Sequence, residues 1–390
     1  MYPESYIANG LRYIKPYYTT RSSYVKGRWL NKALIDILTK EFKTHSKDYY
    51  LNQIHIGNYQ LQRRSSNNSS SLQNIDPLNN LIQNGDVLTT KQHKHEPPVK
   101  AWNNDQMFKI IYEDDALLVI DKPAGIPVHP TGQFYLNTIT EVIKQQQNIS
   151  VFPCYRLDKV TSGLLILAKN NNTARQIQMK ISNRDMNKIY LARVKGKFPF
   201  CHITTTIPHI SSLFKHNSIT TMCTLPIYSI EPKKGFPAGL SDSKPATTSF
   251  YPIRYLPDTN ESIIACKPQT GRTHQIRIHL TKLGYPIVND SIYCDDCTTY
   301  PQRLQFVKDH DEWESTDEKS IQIQFQRIID ETNKKKDELI PADGERCPQC
   351  EVPIMNDPNL KQLQIFLHAW QYNDKEATFN YQTDLPEWVN

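Results

Sequence analysis

The sequence of 390 residues has no apolar run long enough to form a transmembrane helix. Residues 1–6 lack the pattern of a secretory signal, and the Arg- and Ser-rich composition of a strong transit peptide is missing, although residues 12–28 are mildly basic. Eight cysteines in a chain of this length do not resemble the disulfide framework of a secreted protein. These absences predict a soluble protein of the cytoplasm, with the mitochondrion left open as a second compartment.

Apolar residues are scarce, and charge is distributed unevenly. The hydrophobic fraction of 38% is low for a compact globular protein, so polar insertions are expected. Residues 1–300 carry 36 Lys and Arg against 22 Asp and Glu, whereas residues 301–360 carry 8 against 14. The basic part suits a polyanionic partner such as nucleic acid, although many solvated surfaces are basic as well. The acidic part is typical of a solvated insertion that faces away from that partner.

The most informative stretch is residues 155–168, in which Arg156 and Asp158 precede an apolar run. If this run is a buried strand, it holds the preceding loop rigid and places both charged side chains at its entrance. A carboxylate held beside an arginine on a rigid loop is a candidate reactive group. The alternative is a surface turn whose aspartate caps a backbone amide. Residues 161–163 predict a turn that lets the backbone approach another surface closely.

Five segments in chain order carry a resemblance to a known family. They are residues 112–125 followed by 128–130 (ending Ile-Asp-Lys-Pro-Ala-Gly, then Val-His-Pro), 156–165 (Arg-Leu-Asp-Lys-Val-Thr-Ser-Gly-Leu-Leu), 188–192 (Lys-Ile-Tyr-Leu-Ala), 271–280 (Gly-Arg-Thr-His-Gln-Ile-Arg-Ile-His-Leu) and 367–369 (Leu-His-Ala). Together they resemble the motifs of the RluA-type pseudouridine synthases. The resemblance implies an isomerase that converts uridine to pseudouridine in RNA and needs no cofactor.

The resemblance also implies an α+β pseudouridine-synthase fold, with a mixed, mainly antiparallel central sheet flanked by helices. The chain would divide into an N-terminal extension with a degenerate S4-like RNA-binding module (residues 1–100), a catalytic domain (101–300 and 361–390) and an acidic, partly disordered insertion (301–360). An accessory domain that only stabilises its neighbour is the alternative for the module. Residues 93–98, which contain two prolines, mark the linker.

Local patterns predict individual elements. In the module, short strands are expected at residues 54–56 and 85–88, and a flexible loop at 65–71. In the catalytic part, a helix is expected to begin at Thr138, where Glu141 would complete a capping box, and another after residues 270–273, ending at Gly284. Residues 188–196 alternate as a strand, and residues 321–329 of the insertion predict one short helix.

The resemblance assigns roles to five residues. Asp158 would be the essential carboxylate, attacking either the sugar or the uracil ring, and Arg277 its ion-pair partner, which keeps it ionised. Tyr190 would stack against the target uracil, with Leu367 packed beneath it, and Arg156 would help to flip the nucleotide out of the RNA. Without the resemblance, Tyr190 would be interpreted as core packing and Arg277 as a solvated helix charge.

One residue departs from the family pattern. Family members often have His before Arg-Leu-Asp, and this chain has Tyr155. The departure concerns nucleotide flipping or loop packing and not the carboxylate chemistry.

Further stretches resemble the fungal branch that acts on tRNA, at position 31 or 32 of the anticodon stem and loop; they are residues 10–17, 26–29, 93–98 and 129–132. The absence of a deaminase-like extension favours position 31, with position 32 next. No membrane or protein partner is predicted, and a monomer is expected. The alternatives are a non-catalytic RNA-binding protein in which Asp158 is a relic, and a nucleoside or glycoside hydrolase, which usually needs two carboxylates or a metal.

Two Cys-x-x-Cys pairs flank the acidic stretch, Cys294 with Cys297 and Cys347 with Cys350. Their spacing is compatible with a structural zinc site at the base of the insertion; four reduced thiols are the alternative. A catalytic metal is not expected, because a four-thiolate site leaves no open position. His93 and His95 could in principle bind a metal, but linker histidines without a partner cluster are interpreted as ordinary polar residues.

Overall fold

The computed structural model describes residues 2–42, 45–65, 68–102, 108–202, 220–228, 230, 243–309, 318–340, 344–374 and 379–389. Two β-sheets dominate these residues: one of four strands near the N-terminus, and one of ten strands that runs through the rest of the chain. Among the helices in these ranges, none is long and apolar enough to cross a lipid bilayer.

The N-terminal module combines antiparallel strands with short helices. A small sheet is formed by β1 (Ser5–Ala8), β2 (Leu11–Ile14) and β7 (Val99–Lys100). The four-stranded sheet has the order β3 (Tyr17–Tyr24), β6 (Val87–Lys94), β4 (Tyr59–Ser65), β5 (Asn68–Ile75). Helix α1 (Leu34–Ile37), which continues as a π-helical turn over Leu38–Phe42, and α2 (Lys47–His55) share an apolar core with the sheet. The likeness of this module to S4 domains stays a prediction.

Two local predictions for the module are wrong. Ile54 and His55, expected in a strand, belong to the last turn of α2, because Tyr50 and Ile54 are four residues apart and both pack into the core. The expected loop at 65–71 includes the first residues of β5, which pairs with β4 as an antiparallel hairpin; residues 66 and 67 lie outside the described residues.

The ten-stranded sheet confirms the predicted mixed, mainly antiparallel arrangement. Its order is β13 (Thr221–Cys223), β16 (Thr248–Leu256), β17 (Glu261–Pro268), β12 (Met186–Lys195), β18 (Leu367–Asp374), β11 (Ser162–Ala168), β9 (Leu117–Lys122), β8 (Lys109–Glu113), with β10 (Phe152–Pro153) on β11 and β19 (Asn380–Gln382) on β18. The pairing of β11 with β18 is parallel, and the other pairings of this sheet are antiparallel. Strands β14 (Ile227–Tyr228) and β15 (Ser243–Lys244) form a separate pair.

Helices cover the central strands. Residues 164–168 of β11 are fully buried, as the apolar run predicts for a strand covered on both faces. The core around β11 includes residues of α3 (Ile139–Gln147) and α4 (Asn171–Ser182). A second core joins β12 and β17 to α5 (Gln275–Lys282). The capping box at the start of α3 does not form, since the Thr138 hydroxyl donates to the carbonyl of Tyr135 at 2.8 Å.

The insertion contains more helix than the sequence patterns predict. Helix α6 (Pro301–Asp309) packs against α7 (Glu318–Glu338), which is 21 residues long instead of one short helix. Ile321, Phe325 and Ile328 recur at helical spacing and bury one side of α7 against Phe306. Residues 310–317 and 341–343, part of the segment predicted to be disordered, lie outside the described residues.

Gly163 sets the distance between the two parallel central strands. It lies in β11 opposite Ala369 of β18, with a φ of +107°. A Cβ atom added at this position would lie 2.2 Å from the carbonyl oxygen of Ala369. The predicted close approach at residues 161–163 is therefore confirmed, although Ser162 and Gly163 lie in the strand and not in a turn.

The substitution Gly163→Ala should destabilise the protein by about 3 kcal/mol or more, because it forces β11 away from β18 and strains a positive φ. Gly271→Ala is the matched control, since its added Cβ would meet no atom within 4 Å. The measurement is the urea midpoint of unfolding. Equal midpoints for the two variants would contradict the role given to Gly163.

Candidate active site

Asp158 lies on the loop between β10 and β11, and 27% of its side-chain surface is exposed to solvent. Its backbone carbonyl accepts a hydrogen bond from the amide of Thr161 at 3.2 Å. The carbonyl of Lys159 accepts from the amide of Gly125 at 2.7 Å and from Nζ of the fully buried Lys122 at 3.3 Å. The loop is thus tied to the segment after β9, which fixes the carboxylate and leaves it accessible.

Lys122 is a supporting residue whose role the sequence analysis missed. Its Nζ also donates to the carbonyls of Pro123 at 2.8 Å and Ile126 at 3.0 Å. Burial lowers the pKa of Lys122 to about 7. The available signal was a lysine at the end of the mainly apolar strand β9, where a buried charge needs several acceptors.

Arg277 lies on α5 and joins two carboxylates. Its Nη1 donates to Oδ2 of Asp158 at 3.0 Å, while Nε and Nη2 donate to Oδ2 and Oδ1 of Asp290 at 2.7 and 2.8 Å. Only 3% of the Arg277 side chain is exposed. Because the bidentate pair with Asp290 fixes the plane of the guanidinium, the remaining Nη1 is held pointing at Asp158.

Asp290 is a second residue that the sequence analysis missed. It is fully buried, and its Oδ1 also accepts the backbone amides of Ile292 at 3.0 Å and Tyr293 at 3.2 Å. Burial by itself raises the pKa of Asp290, but the charge and hydrogen bonds of Arg277 outweigh burial, so the net pKa lies below its ordinary value. The only sequence signal was an acid inside the mainly apolar stretch after α5.

The electrostatic environment keeps Asp158 ionised. Nε2 of His274 lies 3.6 Å from Oδ2 of Asp158. Burial by itself raises the pKa of Asp158, but the charge and the hydrogen bond of Arg277 oppose it, and the net pKa lies below its ordinary value. Because burial lowers the pKa of His274 to about 3, its ring is neutral at physiological pH. The charge that sustains the carboxylate is therefore that of Arg277.

Three tyrosines form a cluster on the central strands and the loop. The hydroxyls of Tyr190 on β12 and Tyr372 on β18 lie 2.6 Å apart, and burial raises the pKa of Tyr190 to about 12, so this phenol stays protonated. The ring of Tyr155 lies 4.9 Å from that of Tyr372. Its hydroxyl donates to the carbonyl of Leu164 at 2.9 Å and accepts the amide of Ile166 at 3.2 Å. Tyr155 thus packs the loop onto β11.

The structure brings most of the predicted site residues together. Asp158 contacts Arg277 directly, and its charge contributes to the raised pKa of Tyr190. Leu367 begins β18 opposite Ala192, is 4% exposed, and belongs to an apolar cluster that the ring of Tyr190 contacts. Arg156 is exposed on the Asp158 loop. The roles of Arg156, Tyr190, Arg277 and Leu367 in a reaction stay predictions.

A cavity of about 340 Å³ lies elsewhere in the catalytic part. Its lining includes Lys122, Ser162 and His368, but Asp158 is not among the lining residues. We place the candidate active site at the contact between Asp158 and Arg277, because a reactive carboxylate for a large substrate has to be reached from the surface.

The fold and the site define the class of an enzyme that presents an ionised carboxylate, flanked by aromatic side chains, to a large polyanionic substrate at its surface. The comparisons with known proteins agree. The model of the family described as RNA pseudouridylate synthase matches residues 116–282. The Saccharomyces cerevisiae protein "tRNA pseudouridine(31) synthase" is 49% identical over 401 residues, which cover 99% of this chain and 97% of the yeast protein.

A second yeast relative is more distant. "tRNA pseudouridine(32) synthase, mitochondrial" from Saccharomyces cerevisiae is 34% identical over 406 residues, which cover 99% of this chain and 78% of that protein. The chain belongs to the RluA-type family of RNA pseudouridine synthases, whose members are isomerases. The predicted family and the α+β fold class are confirmed.

Removing Arg277 should raise the pKa of Asp158, because burial raises this pKa and the positive charge that lowers it would be gone. In the wild type this carboxylate stays ionised to a lower pH than an ordinary aspartate, because its pKa is lowered. In Arg277→Gln the acid limb of the single-turnover rate of RNA pseudouridylation should move to higher pH, because the active ionised form is lost earlier as the pH falls. Arg327→Gln, an exposed arginine on α7, is the control and should leave the profile unchanged.

The single variant leaves Asp290 buried without its partner, which costs about 3–5 kcal/mol. The double variant Arg277→Gln with Asp290→Asn removes this charge and provides a folded protein for the same measurement. An unshifted acid limb in the double variant would show that Arg277 does not sustain the ionised carboxylate.

Proposed function

We propose that this protein isomerises uridine to pseudouridine in tRNA, at position 31 of the anticodon stem with position 32 next, and without a cofactor. The observation that carries the proposal is the partly exposed Asp158 carboxylate, held at 3.0 Å by a buried arginine. The name of the relative that is 49% identical over nearly the full length supports tRNA and position 31. The name of the more distant relative supports position 32 as the alternative.

The proposed reaction breaks the N1–C1′ glycosidic bond, turns the uracil, and forms a C5–C1′ bond; a proton leaves C5 and one is gained at N1. Asp158 bonds transiently either to C1′ of the sugar, displacing N1 of the uracil, or to the uracil ring by addition; the sugar bond breaks when C5 attacks C1′, and the ring adduct is lost by elimination, so that each route returns the free carboxylate. Both routes need an ionised, oriented carboxylate, which is what Arg277 supplies. No atom is gained or lost overall, so the reaction needs no external oxidant, reductant or group donor.

The target nucleotide has to leave its stem, at a cost of a few kcal/mol. Exposed Arg156, two residues before the carboxylate, is placed to occupy the vacated space or to hold a neighbouring phosphate. The ring of Tyr190 stacks against the extruded uracil, and the buried Leu367 packs beneath the tyrosine ring. In this arrangement the phenol of Tyr190, which is hydrogen-bonded to Tyr372, takes part in proton transfer with the base once that hydrogen bond rearranges.

We also propose that residues 1–100 form an S4-like RNA-binding module, that 101–300 with 361–390 form the catalytic domain, and that 301–360 are an insertion. The linker residue Glu96 supports a fixed position for the module. Its carboxylate accepts the amides of Tyr135, Leu136 and Asn137 at 2.8, 2.8 and 3.0 Å, and the hydroxyl of Tyr17 donates to the same group. A module held in this way would extend the basic surface beside the active site.

We further propose a monomer that works in the cytoplasm and the mitochondrion. The printed name of the position-32 relative, a mitochondrial protein, supports the mitochondrial assignment. Light scattering of the purified protein in solution tests the oligomeric state, and a dimer mass would contradict a monomer.

Asp158→Asn should abolish pseudouridine formation and leave tRNA affinity largely intact, since loss of an essential nucleophile costs several orders of magnitude in rate. The assay is tritium release from tRNA labelled at C5 of uridine, together with a direct binding measurement. Asp115→Asn, an exposed acid on the turn between β8 and β9, is the control and should retain wild-type turnover.

Turnover of Asp158→Asn within about tenfold of wild type would overturn the assignment of this carboxylate. Tritium release by neither the variant nor the wild type would favour a non-catalytic RNA-binding protein. Free uracil as the product would favour a nucleoside hydrolase.

The position is tested with two tRNA transcripts, one with cytidine in place of uridine at position 31 and one with the same change at position 32. The first change should remove the pseudouridine detected by primer extension, and the second should not. The reverse result would assign position 32.

A further inference from the structure

Four side chains of the types that bind metal ions lie close together in space, although they come from two distant parts of the sequence. His93 lies in β6, His95 follows that strand directly, and Cys347 and Cys350 lie in the C-terminal part of the insertion. One ligand atom from each residue lies within 4.8 Å of the other three. Sγ of Cys347 is 3.4 Å from Nδ1 of His93, and Sγ of Cys350 is 3.3 Å from Nε2 of His95.

The backbone presents each pair to the same point. His93 and His95 are two residues apart in extended chain, so their side chains leave the same side. Cys347 and Cys350 lie on a tight turn, in which the amide of Glu351 donates to the carbonyl of Cys347 at 2.8 Å and Glu351 has a φ of 58°. The amide of Gln349 points at Sγ of Cys347 at 3.4 Å, an arrangement that stabilises a thiolate.

The distances and the ligand types fit one ion. A tetrahedral zinc ion with two sulfur and two nitrogen ligands places its ligand atoms about 3.3–3.8 Å apart, and the two measured sulfur–nitrogen distances lie in that range. Thiolate together with imidazole favours zinc over magnesium or calcium. Both cysteines are buried, at 6% and 1% exposure, and neither forms a disulfide. We propose that His93, His95, Cys347 and Cys350 bind a structural zinc ion.

This set differs from the four cysteines suggested by spacing. The structure does not bring Cys294 and Cys297 into the group with Cys347 and Cys350, although all four lie in the described residues. Cys294 instead follows the buried Asp290, whose carbonyl accepts its amide at 3.0 Å. His93 and His95, predicted from sequence to be ordinary polar residues of a linker, lie at the end of β6 and directly after it, and take the places of these two cysteines.

The position of the site gives its function. It joins the end of β6, in the N-terminal module, to a turn 254 residues later in the insertion. An ion at this point closes a very long loop and fixes two otherwise separate parts of the chain against each other. Four protein ligands leave no open position, so the ion is structural and takes no part in the isomerisation.

The full-length protein, purified without a histidine tag, should contain about one zinc ion per chain by mass spectrometry of the metal, as expected for a closed four-ligand site. Cys347→Ser with Cys350→Ser should lose the zinc. Cys294→Ser with Cys297→Ser is the matched control, with the same number and type of changes, and should retain it. Less than about half an equivalent in the wild type, or loss of zinc in the control, would overturn the proposal.

A measurement on the wild type covers the case in which the cysteine variant does not fold. Cobalt(II) in place of zinc should give the intense visible bands of a tetrahedral site and a thiolate charge-transfer band whose intensity corresponds to two thiolates. A pale octahedral spectrum, or a charge-transfer band of four thiolates, would contradict the proposed ligand set. His95→Gln should weaken zinc binding and lower the midpoint temperature of thermal unfolding. The proposed isomerase function is tested separately, by the turnover of the zinc-loaded wild type.

Discussion

The site depends on one guanidinium, that of Arg277, which donates hydrogen bonds to two carboxylates. Arg277 gives two donors to the fully buried Asp290 and one to the partly exposed Asp158. The contact with Asp290 fixes the orientation of the Arg277 side chain, and the contact with Asp158 places its positive charge beside the partly exposed carboxylate. A buried arginine without a counter-ion would destabilise the folded protein. Asp290 provides that counter-ion, so Arg277 can be buried next to the loop while Asp158 stays partly exposed.

The central sheet supplies the framework for this division. Asp158 precedes β11, Leu367 starts β18, Tyr190 lies in β12, and Arg277 follows β17 in α5. These four strands are neighbours in the sheet, so segments that are more than 200 residues apart in the sequence end within contact of one another. The parallel pair β11 and β18 can approach as closely as it does because Gly163 has no side chain at the point where Ala369 passes.

The same arrangement explains the departure at Tyr155. A tyrosine at this position hydrogen-bonds the backbone of β11 with its hydroxyl and packs its ring at an angle against that of Tyr372, so it stabilises the loop from the inside. It is partly buried, while Arg156, the next residue, is exposed. Tyr155 therefore packs the loop from the inside, and Arg156 faces the solvent.

Short-range patterns were sufficient where one local rule dominated. The buried strand after Asp158, the strand with Tyr190 and the helix with Arg277 were found from their periodicity and the motifs, and α5 ends within two residues of the predicted Gly284. Local rules failed where tertiary contacts decided. Ile54 packs as helix and not strand, and α7 extends beyond its predicted range because it packs on α6. At Thr138 a local competitor decides instead, since its hydroxyl donates to the carbonyl of Tyr135 and does not cap α3.

The sequence by itself determined the family and the fold class and predicted Asp158 as the central carboxylate, because these follow from residues that stand together in short motifs. Only the tertiary structure decided which charges meet: that Asp290 holds Arg277, that Lys122 supports the loop, and that two histidines join Cys347 and Cys350. The physical reason is that a buried charge or thiol is satisfied by partners distant in the chain, and linear spacing carries no information about which distant segments the sheet brings side by side.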